Sequence, residues 1–243
     1  MNGKGFLSDK SLDLDGILVI NPRSFVDRRR SIKRQLDLVG IPFEFIHVFD
    51  ADDLTPEVTT RYFQDATLSA GQQSCALKHV QALRVIVERD WRRALVLEDD
   101  AVLAPRFREG LRVALAEAEG VPEPHVLFIG SGGNQYTPRR LRVSGRHLYQ
   151  RDRGRLGEAY ILGSHAARIR VDWIDRNGIP VPIDNLFERI DQECGIGMYW
   201  LEPPIVEQGS KNGRFDSVLE PAPPRFVRRI TALLQKMRRK YLY

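Results

Sequence analysis

Three consecutive acids, Glu98-Asp99-Asp100, follow directly on the apolar run Ala94-Leu95-Val96-Leu97. Such a run reads as a buried strand, and side chains alternate along a strand, so Glu98 and Asp100 leave its end on the same side. Two carboxylates on one face suit a hard divalent cation that keeps some water and also takes phosphate oxygens. A cation held there neutralises charge developing on a diphosphate leaving group. Burying three carboxylates is costly unless charge or strong hydrogen bonds compensate them. The competing account is a solvated turn, or a cap for the next helix, and the triplet alone leaves both open.

The elements around the triplet follow from hydrophobic period. Gly16–Ile20 is a short apolar run stopped by Asn21-Pro22, and Val26, Ile32, Leu36 and Val39 recur at helical spacing before Gly40. A second strand is expected over Phe43–Val48, which completes a strand–helix–strand unit within about thirty residues. Residues 50–70 read as a loop with one short helix. Residues 72–90 form a helix with His79 on its apolar face, where the roles of satisfied core histidine and site residue both stay open. Further strands are expected at His125–Ile129 and Tyr160–Leu162, with a helix over 164–177 closed by Asn177-Gly178. Alternating strands and helices, several strands being wholly apolar, predict an α/β fold with a mostly parallel central sheet flanked by helices.

Charge is unevenly distributed. The 243 residues carry 37 basic and 32 acidic side chains, a net +5. The last nineteen residues hold Arg225, Arg228, Arg229, Lys236, Arg238, Arg239 and Lys240 and no acid, so the remainder is close to neutral at −2. There Phe226, Ile230, Leu233, Leu234, Met237 and Tyr241 recur at steps of three or four, an amphipathic helix with a cationic face. Pro221, Pro223 and Pro224 read as a stiff linker into it. The expected organisation is a polar lead-in over 1–15, one catalytic domain over 16–220 and a tail over 221–243. No apolar run of membrane-spanning length occurs, and no secretion signal is evident. The tail is therefore expected to lie on an anionic membrane surface, which places the protein in the cytoplasm, peripherally on the inner face of the membrane. Nucleic acid is not an expected partner, because aromatics do not interleave with the charges and the body is not basic. Two cysteines, Cys75 and Cys194, show neither a CxxC pair nor a histidine at metal spacing, which argues against a structural zinc site or a disulfide.

Six segments, taken together and in order, resemble glycosyltransferase family 25, which includes bacterial lipopolysaccharide galactosyltransferases and collagen galactosyltransferase domains. They are ILVINPRSFVDRRRSIKRQL, SAGQQSCALKHVQALR, ALVLEDDAVLAPRF, GEAYILGSHAARI, VPIDNLF and YWLEPPIVEQGS, with DSVL downstream, and they cover most of residues 16–217. The resemblance implies a GT-A-like nucleotide-sugar fold of two abutting βα halves, a UDP-sugar donor, Mn2+ or Mg2+, and inversion at the anomeric carbon. It implies that Glu98, Asp99 and Asp100 hold donor and metal, with Asp100 a direct ligand and Glu98 at the metal through its waters, or at the ribose. Asn21, Arg23, Arg29 and Arg30 are then expected at the nucleotide, and His79 close to the donor. Inverting transfer also needs a carboxylate base. Asp184, in the proline-held turn Val181-Pro182-Ile183-Asp184, is the first candidate and Asp191 the second; a helix N-cap starting at Asn185 is the alternative role for Asp184. Glu158 and Tyr160 are expected on the acceptor side.

Four positions depart from the family pattern: Gln72 stands for an acid, Lys78 for a serine, Pro22 for a leucine and Gly163 for a serine. Gln72 and Lys78 are expected to replace an anionic patch by a neutral-to-positive one. The expected activity is transfer of a hexose, galactose first, to a glycan or glycolipid acceptor such as lipooligosaccharide. A non-catalytic nucleotide-sugar or glycan-binding scaffold is the alternative. A nucleotidyltransferase is disfavoured because no GxxxxGK phosphate loop occurs.

Overall fold

A computed structural model describes residues 12–40, 42–64, 66–211, 214–215 and 225–241. Its elements run β1 (Gly16–Ile20), α1 (Val26–Val39), β2 (Glu44–Ile46), α2 (Pro56–Phe63), α3 (Ala70–Glu88), β3 (Ala94–Glu98), β4 (Ala101–Leu103), α4 (Phe107–Ala118), β5 (His125–Phe128), β6 (Leu148–Arg151), β7 (Ala159–Leu162), α5 (Ser164–Asn177), α6 (Ile183–Cys194), β8 (Gly197–Leu201), β9 (Val206–Gln208) and α7 (Arg225–Tyr241).

Seven strands form one sheet in the order β2-β1-β3-β7-β5-β8-β6. Helices cover both faces, which explains why β1 and β3 are apolar at nearly every position. Leu18, Ile20 and Val96 pack with Ala76, Leu83 and Ile86 of α3 and with residues of α5 and α6. Ile17, Val19, Leu95 and Leu97 point the other way, onto Ile32 and Leu36 of α1 and Leu111 and Leu115 of α4. Burying one such aliphatic side chain contributes about 1.5–3 kcal/mol.

The α/β class and flanking helices agree with a GT-A-like architecture, but the expectation of a mostly parallel sheet is corrected. β1–β2, β1–β3 and β5–β8 are parallel. β3–β7, β5–β7 and β6–β8 are antiparallel. An apolar run reports that both faces are covered and carries no information about strand direction. β7 enters antiparallel between β3 and β5, so its first residues face the ends of β1 and β3. A second, two-stranded sheet pairs β4 with β9 and ties the chain after the acids to residues 206–208.

Local signals account for the helix ends. Gly40 adopts φ +70° and its N–H bonds the Asp37 and Leu36 carbonyls, closing α1; a left-handed glycine is the common stop there. Ser69 and Gln72 form a reciprocal capping box at the start of α3. Gln72 is therefore a helix cap rather than part of a charged patch. Of the expected lead-in, residues 12–15 are described, with Leu12 and Leu14 packed on the core. Residues 1–11 and the proline linker at 221–224 lie outside the described residues. No helix among the described residues is long and apolar enough to cross a membrane.

Candidate active site

The carboxyl ends of β1 and β3, the start of β7, the middle of α3 and the first turn of α6 meet at one place. β1 delivers Asn21, which is fully buried. Its side-chain amide donates to Asp99 Oδ2 at 2.7 Å, and the Arg28 guanidinium lies 3.2 Å from Asp99 Oδ1. Both oxygens of Asp99 are thus engaged. Asp99 positions Arg28 and the strand end. Burial pushes its carboxyl up to about 7 against the lowering pull of Arg28.

Asp100 and Glu98 differ from it. Asp100 Oδ2 accepts the Ser210 N–H at 3.0 Å, while Oδ1 is buried without a hydrogen-bond partner among the described residues. Glu98 keeps about a fifth of its side chain open, at 21%, with Oε1 3.5 Å from His79 Nε2 and Oε2 3.4 Å from the Gln208 amide. Burial, then repulsion from Asp100, pushes Glu98 up to about 8. The charge of Asp100 reaches Glu98 and raises the cost of ionising it. A divalent cation would remove that cost.

His79 is fully buried, with Nδ1 2.9 Å from the Tyr160 hydroxyl and Nε2 without a hydrogen-bond partner among the described residues. Burial lowers it to about 4, so it is neutral near neutral pH. Cys75 lies one turn earlier on α3. Its Sγ, a His79 ring nitrogen and a Glu98 oxygen all fall within 4.8 Å of one another. The expectation that Cys75 lacks a histidine at metal spacing is therefore corrected: residues four apart on a helix are neighbours on one face. Among the described residues, Glu98 with Cys75 and His79 forms a group able to hold a cation, and Glu98 and Asp100 offer oxygen ligands at the same strand end.

Asp184 sits in the first turn of α6. Pro182 is the cap residue, and Asp184 Oδ1 instead accepts the Gly157 N–H at 2.8 Å. The helix-cap role is thereby excluded. A Cβ at Gly157 would lie 2.7 Å from Asp184 Oδ1 and 3.3 Å from His79 Nε2, so glycine lets the two side chains converge. Burial, then Glu98, pushes Asp184 up to about 6. Asp191, the second candidate base, is elsewhere. Both its oxygens bond Arg170, at 2.8 and 2.5 Å, inside the helical layer. That buried pair joins α5 to α6 and occupies both oxygens of Asp191.

Of the basic residues, Arg28 reaches the acids, beside Arg29 and Arg30, which were expected at the nucleotide. Arg30 is exposed, pairs with Asp27 at 3.6 Å and lines the neighbouring cleft. Arg29 is half-buried on the same helix. Arg23 pairs with Asp50 and Asp53 at the rim. Asp50 also accepts from the fully buried Lys78 at 2.7 Å, and Lys78 bonds the Val48 carbonyl. The charge of Lys78 is matched internally, so it does not create the positive patch that its departure from the family pattern suggested. Beside Arg28 a cleft of about 320 Å³ opens between Ser24, Phe25, Val26 and Phe215. The guanidinium lies 4.8 Å from the Phe25 ring centre and 5.7 Å from that of Phe215.

Glu158, expected only to line the acceptor side, is fully buried. Its Oε1 accepts the Gly132 N–H at 2.5 Å and Oε2 has no partner among the described residues. Burial pushes it up to about 8. A carboxyl raised in this way stabilises the fold in its neutral form. That contribution is full below the unfolded carboxyl range and is lost as pH rises to the folded value. Glu158→Gln keeps an oxygen for Gly132 and removes the titration. In EDTA, its Tm should fall less than the parent's between about pH 5 and about pH 8. An equal fall in thermal scans would show that Glu158 does not hold the proton.

The chain is similar in sequence to known proteins. Residues 14–143, just over half of the chain, match the family described as glycosyltransferase family 25 (LPS biosynthesis protein). A glycosyltransferase 25 family member of Drosophila melanogaster is 25% identical over 130 residues, 49% of this chain and 21% of that protein. A protein of Acanthamoeba polyphaga mimivirus, provisionally described as a glycosyltransferase, is 30% identical over 174 residues, 64% of this chain and 52% of the relative. The chain thus spans from a fifth to about half the length of these relatives. The family match contains Asn21, Arg28, Cys75, His79 and the acidic triplet.

Proposed function

The chain belongs to glycosyltransferase family 25, and from that premise we propose that it is a metal-dependent, inverting hexosyltransferase with a UDP-sugar donor. The proposed sugar is galactose and the proposed acceptor a lipooligosaccharide or lipopolysaccharide glycan. One observation carries the reading. Glu98 stands beside a buried histidine under the charge of Asp100, one oxygen of Asp100 is left without a partner among the described residues, and Arg28, paired with Asp99, walls a cleft with Phe25 and Phe215.

The residues divide the work. The cleft rings take the nucleoside by stacking, and Arg28, steadied by Asp99, faces the diphosphate. Glu98 and Asp100 would hold Mn2+ or Mg2+, both of which accept these oxygens; bound there, the ion supplies charge for the departing diphosphate. The acceptor hydroxyl oxygen bonds the anomeric carbon as the carbon–oxygen bond to the diphosphate breaks. The electron pair leaves on UDP, and Asp184 takes the hydroxyl proton. Asn21, His79 and Tyr160 shape the floor. UDP release from a panel of UDP-, GDP- and dTDP-sugars, with Mn2+ and with EDTA, tests the reading. Metal-dependent release from one UDP-hexose is expected; no release combined with no metal-dependent UDP binding would favour a binding scaffold.

The tail supports a membrane surface as the place of action. On α7, Ile230, Leu233, Leu234 and Met237 are all more than half exposed. The helix touches the domain on its other flank, through Asn134 to the Ala232 carbonyl and Lys236 to Glu207. An apolar stripe turned to solvent, with seven basic residues and no acid in its segment, suits anionic lipid at about 1 kcal/mol per basic residue near the surface. Truncation after Glu220 should abolish sedimentation with anionic liposomes. UDP binding should change less than about twofold, since an exposed pair such as Lys236–Glu207 contributes little. Unchanged sedimentation would remove the anchor.

A further inference from the structure

We propose that Cys75, His79 and Glu98 form a binding site for a zinc-class cation, distinct in its donor set from the hard-cation pair Glu98–Asp100. The donor atoms are gathered within 4.8 Å of one another. A tetrahedral zinc with bonds of about 2.0–2.3 Å separates its ligand atoms by roughly 3.3–3.8 Å, so closing the site needs movements of about half an ångström per atom. Thiolate, imidazole and carboxylate together favour zinc or cobalt over magnesium, which prefers oxygen alone.

The imidazole supplies the independent sign. Its Nδ1 is held by the Tyr160 hydroxyl at 2.9 Å, and its Nε2, fully buried, has no hydrogen-bond partner among the described residues. A core histidine without a function would be expected to have that nitrogen satisfied. The Tyr160 ring lies 5.8 Å away at 24°, and the Phe187 ring meets it edge-on at 6.0 Å. The ring is therefore fixed with Nε2 directed toward Glu98 Oε1 at 3.5 Å. A hydrogen bond to the other ring nitrogen is the usual way a metal-binding histidine is oriented. Glu98, Asp184, Asp99 and Asp100 all act electrostatically on Cys75, so the neighbourhood favours positive charge. Three protein donors leave a fourth position open. That Glu98 would be shared with the cation of sugar transfer rests on the function proposed above; the site itself does not.

The test is cobalt titration of the chelator-stripped, full-length Cys194→Ala chain, in which Cys75 is the single thiol. One Co2+ per chain is expected, with a thiolate-to-cobalt charge-transfer band that Zn2+ removes and a roughly hundredfold excess of Mg2+ does not. Cys75→Ser in that background should lose the band and weaken Co2+ binding at least tenfold. No band in the Cys194→Ala chain, or removal of the band by Mg2+, would overturn the proposal. Should Cys75→Ser not fold, alkylation decides. Zn2+ is expected to slow modification of Cys75 at least tenfold, and an equal rate with and without Zn2+ would overturn the site. A band in a chain that neither binds UDP nor releases it would retain this site and dismiss the transferase reading.

Discussion

Asp100→Asn is expected to abolish metal-dependent binding of the UDP-sugar and to lower transfer by about 10³-fold, the size of an effect worth about 4 kcal/mol at the transition state. The substitution is nearly isosteric. The amide that replaces the carboxylate keeps an oxygen to accept the Ser210 N–H, which now reaches Asp100 Oδ2 at 3.0 Å. The bond from the Gly209 N–H to the Asp100 carbonyl, at 2.8 Å, does not involve the side chain. What disappears is the charge on Oδ1, the oxygen without a partner among the described residues. Loss of that charge also relieves Glu98, whose carboxyl Asp100 pushes up after burial. The metal-free variant should therefore be as stable as the parent or more so near pH 8, where a folding defect would give the opposite. Normal affinity for donor and metal in Asp100→Asn would show that Asp100 is not a ligand.

Asp184→Asn is expected to separate binding from chemistry. The amide oxygen of the variant can still accept the Gly157 N–H, so the first turn of α6 stays in place. UDP-sugar affinity should hold within about twofold, while kcat falls roughly 10²–10⁴-fold, the range that a positioned base supplies. The parent's pH–rate profile should rise through about 6, where burial and Glu98 place Asp184, and the variant should lack that limb. Glu158, another raised carboxyl nearby, is fully buried behind Gly132, out of reach of a glycan hydroxyl. Undiminished kcat in Asp184→Asn would remove it as the base.

Much of the frame was legible because its signals are local. β1 and β3 stand out as apolar runs with defined ends, and α1 stops where Gly40 permits a left-handed turn. β6 and β9 are three or four residues long and carry mixed side chains, and β4 is an apolar run of only three, so no period distinguishes them from loops. The direction of β7 depends on long connections, which composition does not encode. At the site, the triplet at a strand end was readable, and two further signals lie in the spacing. Arg28 stands four residues before Ile32 and eight before Leu36, the buried stripe of α1, which turns it inward and leaves Arg30 at the rim. Cys75 and His79 are likewise one turn apart. The Arg170 partner of Asp191 lies on a separate helix, and a pairing between helices leaves no mark at either position.

The central claim is that a nucleotide diphosphate and a divalent cation bind together at the end of β3. Calorimetric titration of UDP into the full chain, with Mn2+ and again after EDTA, tests it most directly. One UDP per chain is expected with Mn2+, with at least a tenfold loss of affinity without it. Removing the ring in Phe25→Ala is expected to weaken the metal-supported binding. UDP affinity that is the same in Mn2+ and EDTA, or no binding in either, would contradict the claim.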